Sequence, residues 1–321
     1  MTYSSGQLIQ ATDYNGFVST TVGANVNATW NTAYGQTAIS TVSAAGTVTA
    51  TQWASLVNTI TNMAAHQPTT ITARTAPVVG NTISILSAVN TDITNCFTNR
   101  YNAYAQGAQF TGWTGTNAKT AATSGAAWTI TFTNTVTFAD AASATNFFNA
   151  GGTVKIDVSK TSTGATGDPE WNDLANTLCG DIYISGLATA HTIAGVSYTG
   201  TTKIGGTGTP TTLSTGTGWD ALIAGAGGTI VYKQFADTAP YTANYIQHTI
   251  AKGAASTTLV ITTLWSASDS GPGDPDPITG GTAPSGATPG TAPCTIVTYY
   301  PPETTYLTNS WGTPAVAATT V

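Results

Sequence analysis

Apolar and polar positions follow two different periods along this chain, and the period changes about a third of the way through. Up to Tyr104 the apolar residues recur every three or four positions. Leu86, Val89, Ile93, Phe97, Tyr101 and Tyr104 form one stripe and predict a helix over 84–104, with Thr and Asn on its other face. Such a stripe packs either on earlier helices of the same chain or on copies of itself, and both readings stand. Two earlier helix starts echo each other. GQLIQATDYNGFVST from Gly6 and GTVTATQWASLVNT from Gly46 each bring a Thr (Thr12, Thr51) to the expected N-cap. An aromatic (Tyr14, Trp53) and an apolar pair (Phe17-Val18, Leu56-Val57) follow in each. Between them, Tyr34-Gly35-Gln36 reads as a turn.

From Trp128 onward the period is two. Trp128 to Phe132 alternates as a strand does, and the extended segment runs to Thr137 and Phe138. Asp140 is placed to cap a short helix from Ala141 to Ala150, because its carboxylate can accept the orphan N–H groups of the first turn. Gly151 or Gly152 closes that helix in the left-handed conformation, and Thr153 to Val158 alternates as the next strand.

A second echo lies further on. EWNDLANTLCGDIYI from Glu170 aligns without gaps on GWDALIAGAGGTIVY from Gly218, matching Trp171 with Trp219, Leu174 with Leu222, Gly180 with Gly228 and Ile182 with Ile230. Each copy predicts a helical turn, a Gly stop and a strand. Strands follow at 229–235, 243–251 and 257–265. Residues 266–293, dense in Pro, Gly, Asp and Ser, read as a long exposed loop. A last strand from Thr295 to Tyr300 is stopped by Pro301-Pro302, and Tyr306, Leu307 and Trp311 are aromatic and apolar enough to tie the tail down.

These elements predict an α+β fold. A helical region over 1–106, for attachment or oligomerisation, is followed by a Gly/Thr/Ala-rich boundary at 107–127. A β-rich, sandwich-like projecting region with short inserted helices then fills 128–321.

Composition narrows the function. Only 7% of the 321 residues are charged, against roughly 25% in an ordinary soluble domain. Thr is about one residue in five, so Thr, Ser, Asn and Gly must cover the surface, and β-branched Thr suits a half-exposed pleat. Net charge is −6, with eight scattered Lys and Arg, which speaks against nucleic-acid binding. No apolar run approaches a membrane span, and MTYSSGQLIQATDYN resembles no signal peptide. Cys96, Cys179 and Cys294 are odd in number and far apart. They fit neither a disulfide framework nor a CxxC pair and read as buried or inert thiols.

Five strings occur in order: Ile9 to Asn15 (IxATDYN), Tyr34 to Gln36 (YGQ), Thr51-Gln52-Trp53 leading to His66-Gln67, Phe147 to Gly152 (FFNAGG), and YYPPETTYLTNSWGTP from Tyr299 to Pro314. Their order and spacing resemble a family of bacteriophage virion structural proteins of tail, neck or fibre type. The resemblance implies a non-enzymatic protein of the extracellular particle, made in the host cytoplasm without an export signal and released by lysis. Its expected partners are copies of itself, a trimer being favoured, and other virion proteins. Host surface glycan is a further expected partner if the protein is instead a host-recognition adhesin or depolymerase. A capsid decoration protein is the third reading.

Candidate chemistry is sparse, and no catalytic, cofactor-binding or metal-binding residue is assigned. GTGWDA at Gly216–Ala221 satisfies GxGxxA, but its repeat partner lacks the glycines, so it reads as a helix start. His66, His191 and His248 have no neighbouring His, Cys or paired carboxylate. Asp168, Glu170 and Asp173 gather at a helix start, where the dipole alone favours acids, although paired carboxylates also serve glycoside hydrolysis. Asp269, Asp274 and Asp276 could offer oxygens to calcium, without a regular ligand spacing. No cofactor is expected.

Overall fold

The two echoed helix starts become helices that touch. The computed structural model describes residues 10–20, 23–81, 86–102, 117–118, 128–161, 168–189, 191–193, 196–223, 228–253, 257–267 and 294–320. Its first elements are α1 (Ala11–Val18), α2 (Val26–Trp30), α3 (Ala50–His66) and α4 (Leu86–Thr98). The caps of α1 and α3 are Gln10 and Thr49, two positions before the expected Thr12 and Thr51. Thr49 wins because Gln52 reciprocates. The Gln52 N–H donates to Thr49 Oγ1 at 3.3 Å, and the Thr49 N–H donates to Gln52 Oε1 at 2.8 Å. The repeated aromatics then meet, with the Tyr14 and Phe17 rings 6.1 and 6.0 Å from Trp53.

Helix α4 ends at Thr98, short of the expected Tyr104. Arg100 Nη1 donates to the Phe97 carbonyl at 2.7 Å and so satisfies a group that a longer helix would have bonded. Tyr101 turns away, and its carbonyl accepts the Ala188 N–H at 2.9 Å. Residues 82–85 and 103–104 lie outside the described residues. Val89, Ile93 and Cys96 are buried in one cluster with Tyr14, Phe17, Trp53 and Leu56, so this part of the stripe packs within the chain. A buried Arg74–Asp92 ion pair fixes the segment between α3 and α4.

The strands are β1 (Asn117–Ala118), β2 (Trp128–Thr137), β3 (Thr153–Ser159), β4 (Asp181–Ser185), β5 (His191–Ile193), β6 (Val196–Tyr198), β7 (Thr202–Ile204), β8 (Thr212–Leu213), β9 (Thr229–Phe235), β10 (Tyr245–Lys252), β11 (Thr258–Ala267), β12 (Cys294–Tyr300) and β13 (Ala315–Thr320). The inserted helices are α5 (Ala141–Asn149), α6 (Asp168–Asp173), which continues as a π turn over Leu174–Cys179, and α7 (Trp219–Leu222). The described pairings are antiparallel. One sheet runs β1-β12-β3-β4-β7, another β13-β2-β11-β10-β9-β8, and β5-β6 is a separate hairpin. The fold is therefore α+β, with helices and two larger antiparallel sheets. Asn117-Ala118 pairs with β12 inside the stretch read as a boundary; the rest of 107–127 is outside the described residues. Ser266 and Ala267 extend β11, and 268–293, with Asp269, Asp274 and Asp276, also lies outside them.

The strand pattern explains the threonines. On β2, Ile130, Phe132 and Val136 are buried, while Thr129, Thr131, Thr133, Thr135 and Thr137 point the other way and are exposed or half-exposed. Thr133 faces Thr262 of β11, which in turn faces Thr249 of β10. Hydroxyls thus do on this face what Lys and Glu do elsewhere. The inner residues of both sheets, Phe132, Ile250 and Ile261 from one and Val154, Ile182 and Val297 from the other, belong to a single buried cluster.

The second echo contributes one copy to each sheet. Its strands are β4 and β9, its stops Gly180 and Gly228 both have positive φ, and its Trp and Leu pairs are buried. Trp171 stacks on Trp265 at 5.7 Å, and Trp219 on Phe148 at 5.3 Å. The copies part at Ile182 and Ile230. Ile182 is fully buried, whereas Ile230 is 41% exposed, because a bulge between His248 and Thr249 shifts the register of β9.

Helix α5 is built as its sequence predicts. Asp140 accepts the Ala142 and Ser143 N–H groups at 3.0 and 2.8 Å. At its far end the Gly152 N–H reaches the Phe147 carbonyl at 2.7 Å and the Gly151 N–H the Phe148 carbonyl at 3.2 Å, the two bonds of a Schellman motif. Gly151 takes the positive φ, +104°, and Gly152 is required for space, since a Cβ there would sit 2.5 Å from the Phe147 ring. Phe147 itself lies between Phe138 and Phe148 at 5.8 and 5.1 Å. Phe147→Ala is expected to lower unfolding free energy by about 3–5 kcal/mol in urea titrations. Gly152→Val is expected to destabilise as well, while Thr135→Ser on the outer face changes it by less than about 0.5 kcal/mol.

Candidate functional site

Four of the five strings singled out in the sequence, all but Ile9–Asn15, converge on one junction between the helices and the sheets. Tyr34 sits at its centre and is fully buried. Its hydroxyl donates to the Arg100 carbonyl at 2.8 Å and accepts from Gln67 Nε2 at 2.8 Å. His66 packs edge-on against the Tyr34 ring at 5.1 Å, and its Nε2 lies 3.1 Å from the Ala150 carbonyl of the FFNAGG string. A carbonyl only accepts, so His66 carries its proton on Nε2 there. Burial drives the Tyr34 phenol far above its ordinary value, opposed by the Gln67 bond.

Gln36 binds the closing string. Its Oε1 accepts from the Thr308 N–H at 2.9 Å and from Thr308 Oγ1 at 2.7 Å. Its Nε2 donates to the Thr308 carbonyl at 2.9 Å and to the Tyr34 carbonyl at 3.0 Å. One side-chain amide thus pairs with both backbone groups of Thr308, as a neighbouring strand would. Ser310 Oγ donates to the Tyr34 carbonyl at 2.6 Å. Gly35, at φ +66°, has no room for a side chain, because a Cβ would overlap the Asn146 amide of α5. Leu307 and Trp311 are buried in the main cluster beside these bonds, which is how the tail is tied down. The junction holds the polypeptide together, and its polar groups are engaged with one another.

The other candidates are dispersed. His248 is fully buried on β10, stacked on Tyr232 at 5.2 Å, with Nδ1 3.0 Å from Thr263 Oγ1. Burial pushes its pKa down to about 3. His191 lies in β5. Asp168, Glu170 and Asp173 lie on α6, and Gly218 of the GTGWDA string caps α7, where the Tyr101 ring packs against it. Cys96 and Cys179 are buried free thiols, and burial pushes both up to about 12. Cys294 opens β12. Among the described residues no group of three or more His, Cys, Asp or Glu is placed to hold a metal, and no helix is long and apolar enough to cross a membrane.

Two features were not singled out from sequence. Lys155 on β3 pairs with Asp181 on β4 at 2.6 Å, beside Asp157, whose carboxyl is raised by burial and then by the Asp181 charge. The signal was the Lys-x-Asp alternation within TVKIDV, which reads first as a half-exposed strand face. On the six-stranded sheet, Lys233 lies 4.6 and 3.6 Å from the Phe235 and Tyr245 ring centroids, and the two rings are 5.3 Å apart. A surface hollow of about 320 Å3 is lined by Tyr14, Ala38, Ile39, Ser40, Gln52 and Ser55, and carries no charge.

Comparison with known families, curated proteins and solved structures finds no match to this chain.

Gly35→Ala is expected to destabilise the protein by more than the about 1 kcal/mol typical of a point mutant, read as a drop in melting temperature. For His248 the folded value lies below the ordinary 6.5. The unfolded chain therefore takes up a proton that the folded one refuses, and stability falls as pH drops from 6.5 towards about 3. Denaturant titrations across that window are expected to show His248→Gln losing less stability on acidification than the wild type.

Proposed function

We propose that this chain is a non-enzymatic structural protein of a bacteriophage virion, a tail, neck or fibre component that associates with copies of itself. One observation carries the reading. The YGQ, HQ and FFNAGG strings and the closing TNS segment, which carry the resemblance to such proteins, bond to one another in a junction whose chemistry is cohesive. Uncharged hydroxyl-rich sheet faces support it further, because closely packed copies with such surfaces do not repel one another. In this reading the helical first third docks to the particle or forms a trimer. The two sheets, packed as a sandwich over their shared cluster, project from it.

The second reading is host recognition through glycan. It is favoured by the half-exposed Phe235–Tyr245 pair with Lys233 over it, since sugar rings stack on aromatic faces and amides or ammonium groups bond their hydroxyls. Gln247, whose Nε2 bonds Thr249, lies on the same face.

Because Val89 and Ile93 pack inside the chain, self-association must use other surfaces, and Ile93→Asp would unfold the helical cluster instead of testing assembly. Light scattering of the wild-type protein at high micromolar concentration is expected to report a trimer. A monomer there, together with absence of the chain from purified virions by mass spectrometry, would overturn the proposal. Release of sugar from host polysaccharide would favour the depolymerase.

A further inference from the structure

Residues 301–314 contain no helix or strand, yet they carry the chain from β12 in the five-stranded sheet to β13 at the edge of the six-stranded one. Three kinds of contact hold this segment. Leu307 and Trp311 enter the main cluster, with 3% and 2% of their surface exposed. Gln36 pairs with Thr308 through both halves of its amide. Ser310 bonds the Tyr34 carbonyl. The polar contacts come from the turn after α2, on the far side of the sequence, and Tyr34 is tied in turn to Gln67 after α3 and to Arg100 after α4.

Beyond its ends, the segment controls an edge. Strand β13 pairs with β2 from Ala315 opposite Thr137 to Thr320 opposite Phe132, and β2 has β11 on its other side. Its side chains are Ala, Val and Thr, and those described are exposed or half-exposed; Val316 alone among them packs against the main cluster, so apolar burial holds the strand at one position. Its position rests on the ladder with β2 and on where residue 314 is delivered, and the second is set by Thr308, Ser310 and Trp311.

We infer that residues 301–314 are a releasable strap, seated by Gln36, through which docking of the helical region determines whether β13 covers the edge of β2. Displacing the Tyr34–Gln36 turn exchanges the bonds of the exposed Thr308 backbone to Gln36 for bonds to water, and so lowers the free energy needed to lift the strap and strand together. The coupling is reciprocal, as linkage requires. Loosening β13 must loosen the Tyr34–Gln36 turn. This device concerns the chain's own conformations and does not rest on the proposed function.

Hydrogen exchange on the full chain, read by peptide mass spectrometry, tests it. Gln36→Glu keeps the acceptor oxygen facing Thr308 but replaces the donor that bonds the Thr308 and Tyr34 carbonyls with a second acceptor. In this variant the amides of β13 are expected to exchange about tenfold faster or more, while those of β10 and β11 keep their wild-type rates. Ser310→Ala, a milder change, is expected to produce a smaller acceleration confined to the same strand, and keeps the test decisive if Gln36→Glu does not fold. In the reverse direction, Val316→Asp is expected to accelerate the amides of Gly35 and Gln36. Unchanged β13 exchange in both strap variants overturns the inference. So does equal acceleration of β13 and β10, which would mean general destabilisation without a strap.

Discussion

A glutamine that stands in for a strand is the contact on which the architecture depends. Gln36 satisfies both backbone groups of Thr308 and, through Nε2, the Tyr34 carbonyl. An irregular segment crossing between sheets has no ladder for its N–H and C=O groups, and the buried Gln36 gives those of the exposed Thr308 fixed partners in place of water. The side-chain amide presents an N–H and a carbonyl oxygen to Thr308 in nearly the geometry of a peptide group, with its second N–H left for the Tyr34 carbonyl, which Asp, Ser or Lys cannot do. With Thr308 fixed, Leu307 and Trp311 fall into the main cluster, and the carbonyls of Tyr34, Arg100 and Ala150 are all bonded within the same junction.

The junction also explains how two separate apolar clusters belong to one fold. The helical cluster around Trp53 and the larger one shared by the sheets meet at Trp30, which packs against both. Tyr34, a few residues later, is already part of the larger cluster while its hydroxyl bonds segments of the helical region. Its aromatic body and polar tip suit a position where apolar packing and a hydrogen-bonded seam coincide.

Features set by neighbours in sequence were legible, and those set by distant partners were not. Asp140, Gly151 and the alternation of β3 follow from local rules, and the structure has each where the pattern put it. The caps of α1 and α3 fall two residues before Thr12 and Thr51, because Asp13 bonds the Gln10 N–H at α1 and Gln52 reciprocates with Thr49 at α3. The end of α4 depended on Arg100 folding back onto Phe97. Strand β13 leaves no alternation in the pattern, since AVAATT has almost no contrast between its two faces. The strings of the junction were visible as strings. That Gln36 and Thr308, 272 positions apart, are partners is a fact of topology that no local period contains.

The threonine face of the six-stranded sheet has a consequence for how the protein meets dissolved ions. Among the described residues there are two ion pairs, Arg74–Asp92 and Lys155–Asp181, and the first is buried. Going from about 0.01 M to 1 M salt shortens the screening length from about 30 to about 3 Å, but a hydroxyl-covered sheet presents little long-range field to be screened. Hydroxyl groups act on water and on neighbouring molecules over the length of a single hydrogen bond. The hydration and contacts of this threonine face are therefore set at short range, and change little between fresh water and brine.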